Sequence, residues 1–242
     1  MIMITKAGDY GFKMRKEVKI LKVKNNSKEV QKDVVVEEFT ARISFNDEIV
    51  SEISCTPNDL DYLAIGTLYA KGLMTNSSEL KLEMNGNRVD VTLLNKSEIF
   101  KNHRRKYTIS VNVIFKRIAE LLKSSALFEE TGGCHMVGVF DLSKDEFLYI
   151  AEDISRHSAV EKCIGYMVSN PTKVDKPVLF ASGRANSRIV EECAMIGIPI
   201  VITKSAVTDK AIESAEIRKI TLIGFVRGRH ANIYTHPERV EI

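Results

Sequence analysis

Apolar positions recur along this chain in two rhythms, and the change from one to the other divides it. Over residues 34–45 and 49–55 apolar and polar side chains alternate, which predicts two paired strands joined at Asn46-Asp47-Glu48. Thr56 then opens a predicted helix, with Pro57 at its first position and Asp59 in its first turn. Leu60, Leu63, Ala64, Thr67 and Leu68 share one face of that helix, and Gly72 closes it. Residues 80–84 and 89–94, turned at Asn85-Gly86-Asn87, read as a hairpin. The first thirty residues are rich in lysine and follow neither rhythm, which predicts an arm or an edge strand. Together these elements make an α+β unit over residues 1–110.

A linking helix is predicted over residues 111–128, with Ile114, Ile118, Leu121 and Leu122 on one side. Beyond it, over residues 129–242, strands and helices alternate. Strands are predicted at 136–141 and 146–151, a helix at 158–168 and a buried strand at 178–181. A helix at 186–196, closed by Gly197, leads to a strand at 200–203; a helix at 208–217 leads to strands at 221–225 and 231–234. Such alternation predicts an α/β domain with a largely parallel sheet covered by helices. Ligands of such sheets sit beyond the carboxyl ends of the strands. Ser182-Gly183-Arg184, Lys204-Ser205-Ala206 and Arg227-Gly228-Arg229 all fall at such ends.

Composition narrows the function classes. Of the 242 residues 44% are hydrophobic, enough for a sizeable core, and a net charge of +3 is too small to indicate nucleic acid. No apolar run approaches the roughly 18 residues that span a bilayer, and the N-terminus has no apolar stretch of signal-peptide length. A cytoplasmic protein without a membrane partner is expected. The four cysteines form no C-x-x-C pair, so reduced thiols are expected rather than disulfides or a structural metal. Cys163 and Cys193 lie on apolar helical faces, and Cys55 shares the alternating face of Ile49 and Ile53, so all three read as core. No helical face claims Cys134, and two glycines precede it.

Arg156, Arg184, Arg227 and Arg229 stand in or beside glycine- or serine-containing turns, where a guanidinium fork grips phosphate in two places. Four of them at the strand ends of one sheet point to an anionic, phosphate-bearing ligand. His135 and His157 are the nearest histidines, suited to binding or proton transfer. Glu152 and Asp153 are either an acid/base pair or, the better reading, partners for Arg156 or Arg184 or a helix cap. There is no G-x-x-x-x-G-K-[ST] loop, which argues against P-loop hydrolysis. The zinc deaminase signature is missing as well, since Met136 and Val137 follow His135. Cys134 is the candidate nucleophile, with His157 as its expected partner because adjacent strand residues point to opposite faces. A gap-filling Cys134 beside the glycines is the competing reading.

At these residues the chain resembles the FdhD family, the formate dehydrogenase accessory proteins. The resemblance runs from Val34 to the C-terminus. It rests on Thr56-Pro57 leading to Ile65-Gly66, Thr131-Gly132-Gly133 before His135, Glu152-Asp153 with Arg156-His157, and Ala159-Val160-Glu161-Lys162. Ser182-Gly183-Arg184, Gly197-Ile198-Pro199, Gly224-Phe225 with Arg227-Gly228, and Tyr234-Thr235-His236-Pro237-Glu238-Arg239 complete it. It implies a C-terminal domain like the cytidine deaminase fold without its zinc, beside a smaller α+β N-terminal domain, in a homodimer. It also implies binding of the molybdenum or tungsten bis-guanine-dinucleotide cofactor, with guanine nucleotide as partial ligand. Thr131, Gly132, Gly133, His135, Arg156, Ser182, Gly183, Arg184, Ser205, Phe225 and Arg227 would hold it. Sulfur would pass from a cysteine desulfurase to that cofactor before it enters formate dehydrogenase; the alternative is a binding protein that transfers no sulfur. The family carries a C-G-x-C-G-like loop ahead of the linking helix, whereas residues 105–112 here contain no cysteine. Cys134 stands at the variable position of Thr-Gly-Gly-x-His and is the substitute carrier. Ser158 and Glu161 stand where the family has Asn and Asp, and Val207 where proline is common. Arg188 and Glu192 replace Glu and Lys, and are expected as a surface i,i+4 pair without a site role.

Overall fold

The computed structural model describes residues 3–4, 13–74, 79–95 and 107–242. Most of the expected arm before residue 13, and Arg105-Lys106 of the cysteine-free loop, lie outside them. The chain begins with β1 (Met3–Ile4), β2 (Arg15–Lys24), β3 (Ser27–Val36), β4 (Phe39–Phe45), β5 (Glu48–Cys55), α1 (Leu60–Ala70), β6 (Glu79–Asn85) and β7 (Arg88–Asn95). Then come β8 (Ile109–Ser110), α2 (Val111–Lys123), α3 (Ala126–Thr131), β9 (His135–Asp141), β10 (Glu146–Asp153) and α4 (Arg156–Ser169). β11 (Pro177–Ala181), α5 (Ser187–Ile196), β12 (Ile200–Thr203), α6 (Asp209–Arg218), β13 (Thr221–Arg227), β14 (His230–Ile233) and β15 (Val240–Glu241) complete it.

The N-terminal sheet runs β1-β6-β7-β4-β5 and the C-terminal sheet β10-β9-β11-β12-β13-β14. The C-terminal sheet is mixed, as expected, but its parallel part is confined to the three central strands β11, β12 and β13; β9, β10 and β14 pair antiparallel. One face packs on α4, α5 and α6 through Val139, Leu179, Val201 and Leu222. The other packs on α2 and α3 through Met136, Phe140, Phe180 and Ile202. The first of these apolar clusters also takes in Ile43, Leu63, Leu80 and Val89 of the N-terminal unit. Two glycines make that continuity possible. A Cβ on Gly66 of α1 would lie 1.8 Å from the Glu161 carbonyl oxygen of α4, and one on Gly165 of α4 would lie 1.9 Å from that of Tyr62. The two helices therefore meet backbone to backbone, which only glycine permits.

Three local expectations give way to better-satisfied backbones. The first helix starts at Leu60 rather than Thr56, after Asp59 in a left-handed conformation (φ 49°). Thr56 is fully buried and committed elsewhere: its N–H and hydroxyl reach Asp153 Oδ2 at 3.2 Å, and the hydroxyl lies 2.8 Å from the Glu152 carbonyl oxygen. The linking helix divides at Ser124-Ser125, where the Ser125 hydroxyl caps α3 by accepting from Phe128 N at 2.8 Å. The strand expected over 34–45 breaks at Glu37-Glu38, and residues 34–36 become the end of β3, paired with residues 15–17 of β2. In β5 a bulge between Ser51 and Ile49 shifts the alternation, so Cys55 is buried as expected while Ile49 is 54% exposed.

Asp153 and Lys162 are both wholly buried and form an ion pair at 2.7 Å. The Lys162 ammonium also donates to Thr56 O, Thr56 Oγ1 and Asn58 Oδ1 at 3.1–3.2 Å. Asp153 Oδ1 accepts from Ser155 N at 2.8 Å, just ahead of α4. Asp153 is thus a partner of Lys162, not of Arg156 or Arg184. Removing one member of such a pair strands the other charge. Lys162→Met should cost about 3–5 kcal/mol in denaturant unfolding, and adding Asp153→Asn should recover part of that loss. A single mutant within experimental error of wild type would show that the pair does not hold the two units together.

Candidate functional site

The carboxyl ends of β11, β12 and β13 are tied into one rim. Lys204 N donates to Ala181 O at 3.0 Å and Phe225 N to Ser205 O at 2.9 Å. The Ser182 hydroxyl accepts from Met136 N at 3.0 Å, fixing the start of β9 against this rim. Gly183 follows, its carbonyl accepting the Thr203 hydroxyl. A Cβ there would lie 3.1 Å from His135 Nδ1 and 3.2 Å from Arg156 Cβ, so the glycine lets a histidine and an arginine converge on one backbone turn. Arg156 Nε is buried beside them and has no hydrogen-bond partner among the described residues.

His157 sits one residue further into α4. The Asn186 side-chain oxygen caps α5 by accepting from Ile189 N at 3.2 Å, which leaves the Asn186 amide nitrogen to donate to His157 Nε2 at 3.1 Å. Nε2 is therefore the acceptor and the ring carries its proton on Nδ1. Burial, and next the Arg156 cation, hold His157 below the ordinary histidine range; the same two causes, in the same order, hold His135 down. Both rings are neutral at neutral pH. The N-termini of α4 and α5 thus meet at Arg156, His157 and Asn186, where oriented backbone N–H groups favour an anion.

Cys134 lies at the other end of the turn. It is 5% exposed, and its sulfur is 3.7 Å from the Ser125 hydroxyl. Cys134 nevertheless lines a cavity of about 300 Å³ with Gly132, Gly133, His135, Ser182 and Lys204. Burial pushes its thiol up, with Glu152 and Asp153 adding to the effect against the Ser125 hydrogen bond. His157, the expected partner, instead lines a second cavity of about 650 Å³ with Ser155, Glu161, Lys71 and Arg188. The recorded contact of Cys134 is with Ser125 and that of His157 with Asn186, so the expected dyad is not formed. Glu152 is not paired with Asp153 as an acid/base device: Asp153 belongs to Lys162, and burial raises Glu152.

The remaining expected site residues fall into place unevenly. The Thr131 hydroxyl donates to Leu127 O at 2.6 Å and accepts from Gly133 N at 3.1 Å, while Gly132 (φ 62°) ends α3. This trio shapes the cavity wall as a helix cap. Arg184 is exposed, as are Arg227 and Arg229. Arg227 stacks over Phe225 at 5.7 Å, and Phe225 is held at φ 51°, a conformation unfavourable to an aromatic residue. Lys204, Ser125 and Asn186 were not picked out from the sequence. Lys204 stood in a noted strand-end triplet, and Asn186 was legible as a helix cap.

A sequence profile of the FdhD/NarQ family matches residues 84–241. The chain belongs to the FdhD/NarQ family. It is 35% identical over 222 residues to Protein FdhD of Methanocaldococcus jannaschii, covering 92% of this chain and 97% of that one. It is 34% identical over 255 residues to the sulfur carrier protein FdhD of Sulfolobus acidocaldarius, covering 94% and 99%. The fold matches, with a TM-score of 0.84, a crystal structure assigned to a formate dehydrogenase accessory protein of Desulfotalea psychrophila. That match covers 95% of this chain and 100% of the other at 23% identity. No helix among the described residues is long and apolar enough to cross a membrane.

Arg188 and Glu192 form the expected i,i+4 pair of this FdhD/NarQ member, with Arg188 half exposed as expected but Glu192 buried and a second carboxylate joined to it. Arg188 Nε lies 2.7 Å from Glu192, and its Nη2 pairs with Glu161; both carboxylates are nearly buried. Glu161 also accepts from the Thr67 hydroxyl at 2.6 Å, tying α4 to α1. Burial first, then the Glu161 charge, raises Glu192 to about 7. An unfolded glutamate titrates near 4.5, so between about 4.5 and 7 the folded chain binds the extra proton and stability falls as pH rises. That loss should reach about 3 kcal/mol and be largely absent in Glu192→Gln. Denaturant unfolding at pH values spanning that window checks it, and a flat wild-type profile would contradict it.

Proposed function

We propose that this protein is an accessory factor for a formate dehydrogenase. It holds the molybdenum or tungsten bis-guanine-dinucleotide cofactor at the strand-end rim and carries sulfur for it on Cys134. The observation that carries the binding half is the buried, unpartnered Arg156 Nε above Gly183. A buried guanidinium N–H without an acceptor is costly, and a phosphate oxygen supplies the missing partner. The two helix N-termini and the exposed Arg184 add to that preference for an anion. The names of the S. acidocaldarius and D. psychrophila relatives support a sulfur carrier that serves formate dehydrogenase.

For the sulfur half, Cys55, Cys163 and Cys193 are fully buried core residues, while Cys134 lines the cavity beside His135 and Lys204. In the step proposed, the Cys134 thiolate attacks the terminal sulfur of a cysteine desulfurase persulfide. A new S–S bond forms at Cys134, the desulfurase S–S bond breaks, and its thiolate leaves. A second reading, cofactor binding without sulfur transfer, is favoured by the raised Cys134 thiol, which is protonated at neutral pH. A homodimer, a cytoplasmic setting and a cytidine deaminase-like C-terminal unit belong to the same proposal. The unpaired cysteines and the helix-covered, centrally parallel sheet support the last two.

Guanosine diphosphate should raise the unfolding temperature of wild-type protein. Arg156→Ala should weaken that binding by ten- to a hundredfold, as expected for about 1.5–3 kcal/mol from a charge-assisted bond, while Cys134→Ala leaves it intact. Absence of any shift in the wild type would remove the binding reading. Intact-mass measurement after incubation with a desulfurase and cysteine should show one added sulfur atom on wild type and none on Cys134→Ala. The adduct should accumulate faster as pH rises toward the raised thiol pKa. No adduct on wild type would leave the binding-only reading.

A further inference from the structure

β2 and β3 form a two-stranded antiparallel ribbon, ten residues a strand, that joins neither main sheet. Asn25 and Asn26, both at positive φ, turn it tightly. Only its base is anchored. Arg15 pairs with Glu130 of α3, Glu37 N donates to Met14 O at 2.9 Å, and Val36 packs on Gly133, where a Cβ would be 2.7 Å from its methyl. An isolated two-stranded ribbon is marginal in water, yet residues 21–30 of its outer half are all exposed, with no further strand paired to it among the described residues.

Cross-strand pairing sorts its side chains by face, because residues directly opposite point the same way. The rows Lys19–Lys32, Leu21–Val30 and Val23–Lys28 share one face. Leu21, Val23 and Val30 are 56%, 63% and 57% exposed, an apolar trio framed by three lysines. Lys19 faces Lys32 directly, a like-charge pair that destabilises a ribbon on its own, and only Glu17, at 2.6 Å from Lys32, offsets it. Residues 15–36 hold seven Lys and Arg against three Asp and Glu, an excess of four. The whole chain has an excess of three, so everything outside the ribbon is net −1. The cationic character of this protein is therefore concentrated on the ribbon, and the face with the apolar trio carries Arg15, Lys19, Lys28 and Lys32 against Glu17, while Lys16, Lys22 and Lys24 oppose Glu29 and Asp33 on the other.

We infer that this face is a docking surface for an acidic protein partner, whose carboxylates meet Lys19, Lys28 and Lys32 while an apolar patch covers Leu21, Val23 and Val30. A second copy presenting the same ribbon would oppose like charges. Nucleic acid would use the lysines but leave the apolar trio uncovered. The ribbon's base abuts Gly133, next to Cys134, so a partner seated there is held beside the candidate carrier thiol. The identity of the partner rests on the accessory-factor reading above.

The test titrates the full chain against two purified probes separately, the client formate dehydrogenase and a cysteine desulfurase, at low and high salt. It compares wild type with a Lys19→Gln/Lys28→Gln/Lys32→Gln variant and a Leu21→Thr/Val23→Thr/Val30→Thr variant, both of which keep strand-compatible residues. At least one probe should bind wild type, more weakly at high salt, and each variant should lose at least tenfold in affinity. The lysine variant should also lose the salt dependence. Circular dichroism and the guanosine diphosphate shift should match wild type in both variants, which separates a lost surface from a lost fold. Wild-type affinity in both variants would overturn the surface and leave the accessory function standing. No binding of either probe to wild type would overturn both the surface and its assigned partners. A change in oligomeric state confined to the variants would assign the face to a second copy. Ribbon-dependent binding of duplex DNA or anionic vesicles, without either protein, would overturn the proposal as well.

Discussion

Lys162 and Asp153 meet where α4 and the end of β10 face the segment ahead of α1, and both side chains are wholly buried. An ion pair so placed is tolerable only if its remaining lone pairs and protons are satisfied. Here the partners come from three segments: Thr56 and Asn58 ahead of α1, the end of β10, and Ser155 before α4. Satisfying the pair therefore fixes the entry of α1, the exit of β10 and the start of α4 together. The Gly66 and Gly165 contacts then allow α1 and α4 to close on each other at backbone distance. Arg156 and His157 are the first two residues of α4, so the geometry of the candidate site follows from a charge pair that never touches a ligand.

The same burial sets the electrostatics around that site. Arg156, by its position over Gly183, depresses both histidines, which keeps them neutral and able to accept a proton. Arg188 acts in the other sense on Glu161 and Glu192: burial raises both carboxylates and its cation offsets part of that rise. The two arginines are on successive helices, α4 and α5, but have different surroundings. One has a buried Nε without an acceptor among the described residues, and the other pairs through Nε and Nη2 with two carboxylates. Among cationic side chains near a cleft, the one without a partner is the better candidate for holding an anion.

Much of this was legible in the chain, and the exceptions have physical reasons. The β-α alternation of the C-terminal half gave its elements, because central strands and amphipathic helices are set by local apolar spacing. Thr56-Pro57 looked like a helix start because Thr, Pro and Asp are capping residues. It failed because a partner 97 residues away, Asp153, captures the Thr56 N–H. The Arg188–Glu192 spacing read correctly as an i,i+4 pair, but spacing does not report burial, and the third member, Glu161, comes from another helix. The ribbon was readable in one respect that went unused: Asn25-Asn26 between two alternating lysine-rich runs is a hairpin turn signal. Cys134 was singled out for having no helical face, which holds. Its partner could not be found from sequence, since Ser125 reaches it across the α3 cap.

Cys134 is nearly buried and burial raises its thiol, so the carrier role proposed for it needs a change at the site when the proposed ligand binds. Arg156 is the second-largest cause of the low proton affinity of His135, after burial itself. An anion that neutralises Arg156 removes that cause and raises the proton affinity of His135. His135 and Cys134 line the same small cavity, with Lys204 also on its wall. Occupation of the arginine would thus make the neighbouring ring a stronger base beside the Cys134 thiol. On the proposed carrier role a quiet thiol is then expected of the unligated protein, with Arg156 rather than a preformed Cys–His pair as the link between ligand and thiol.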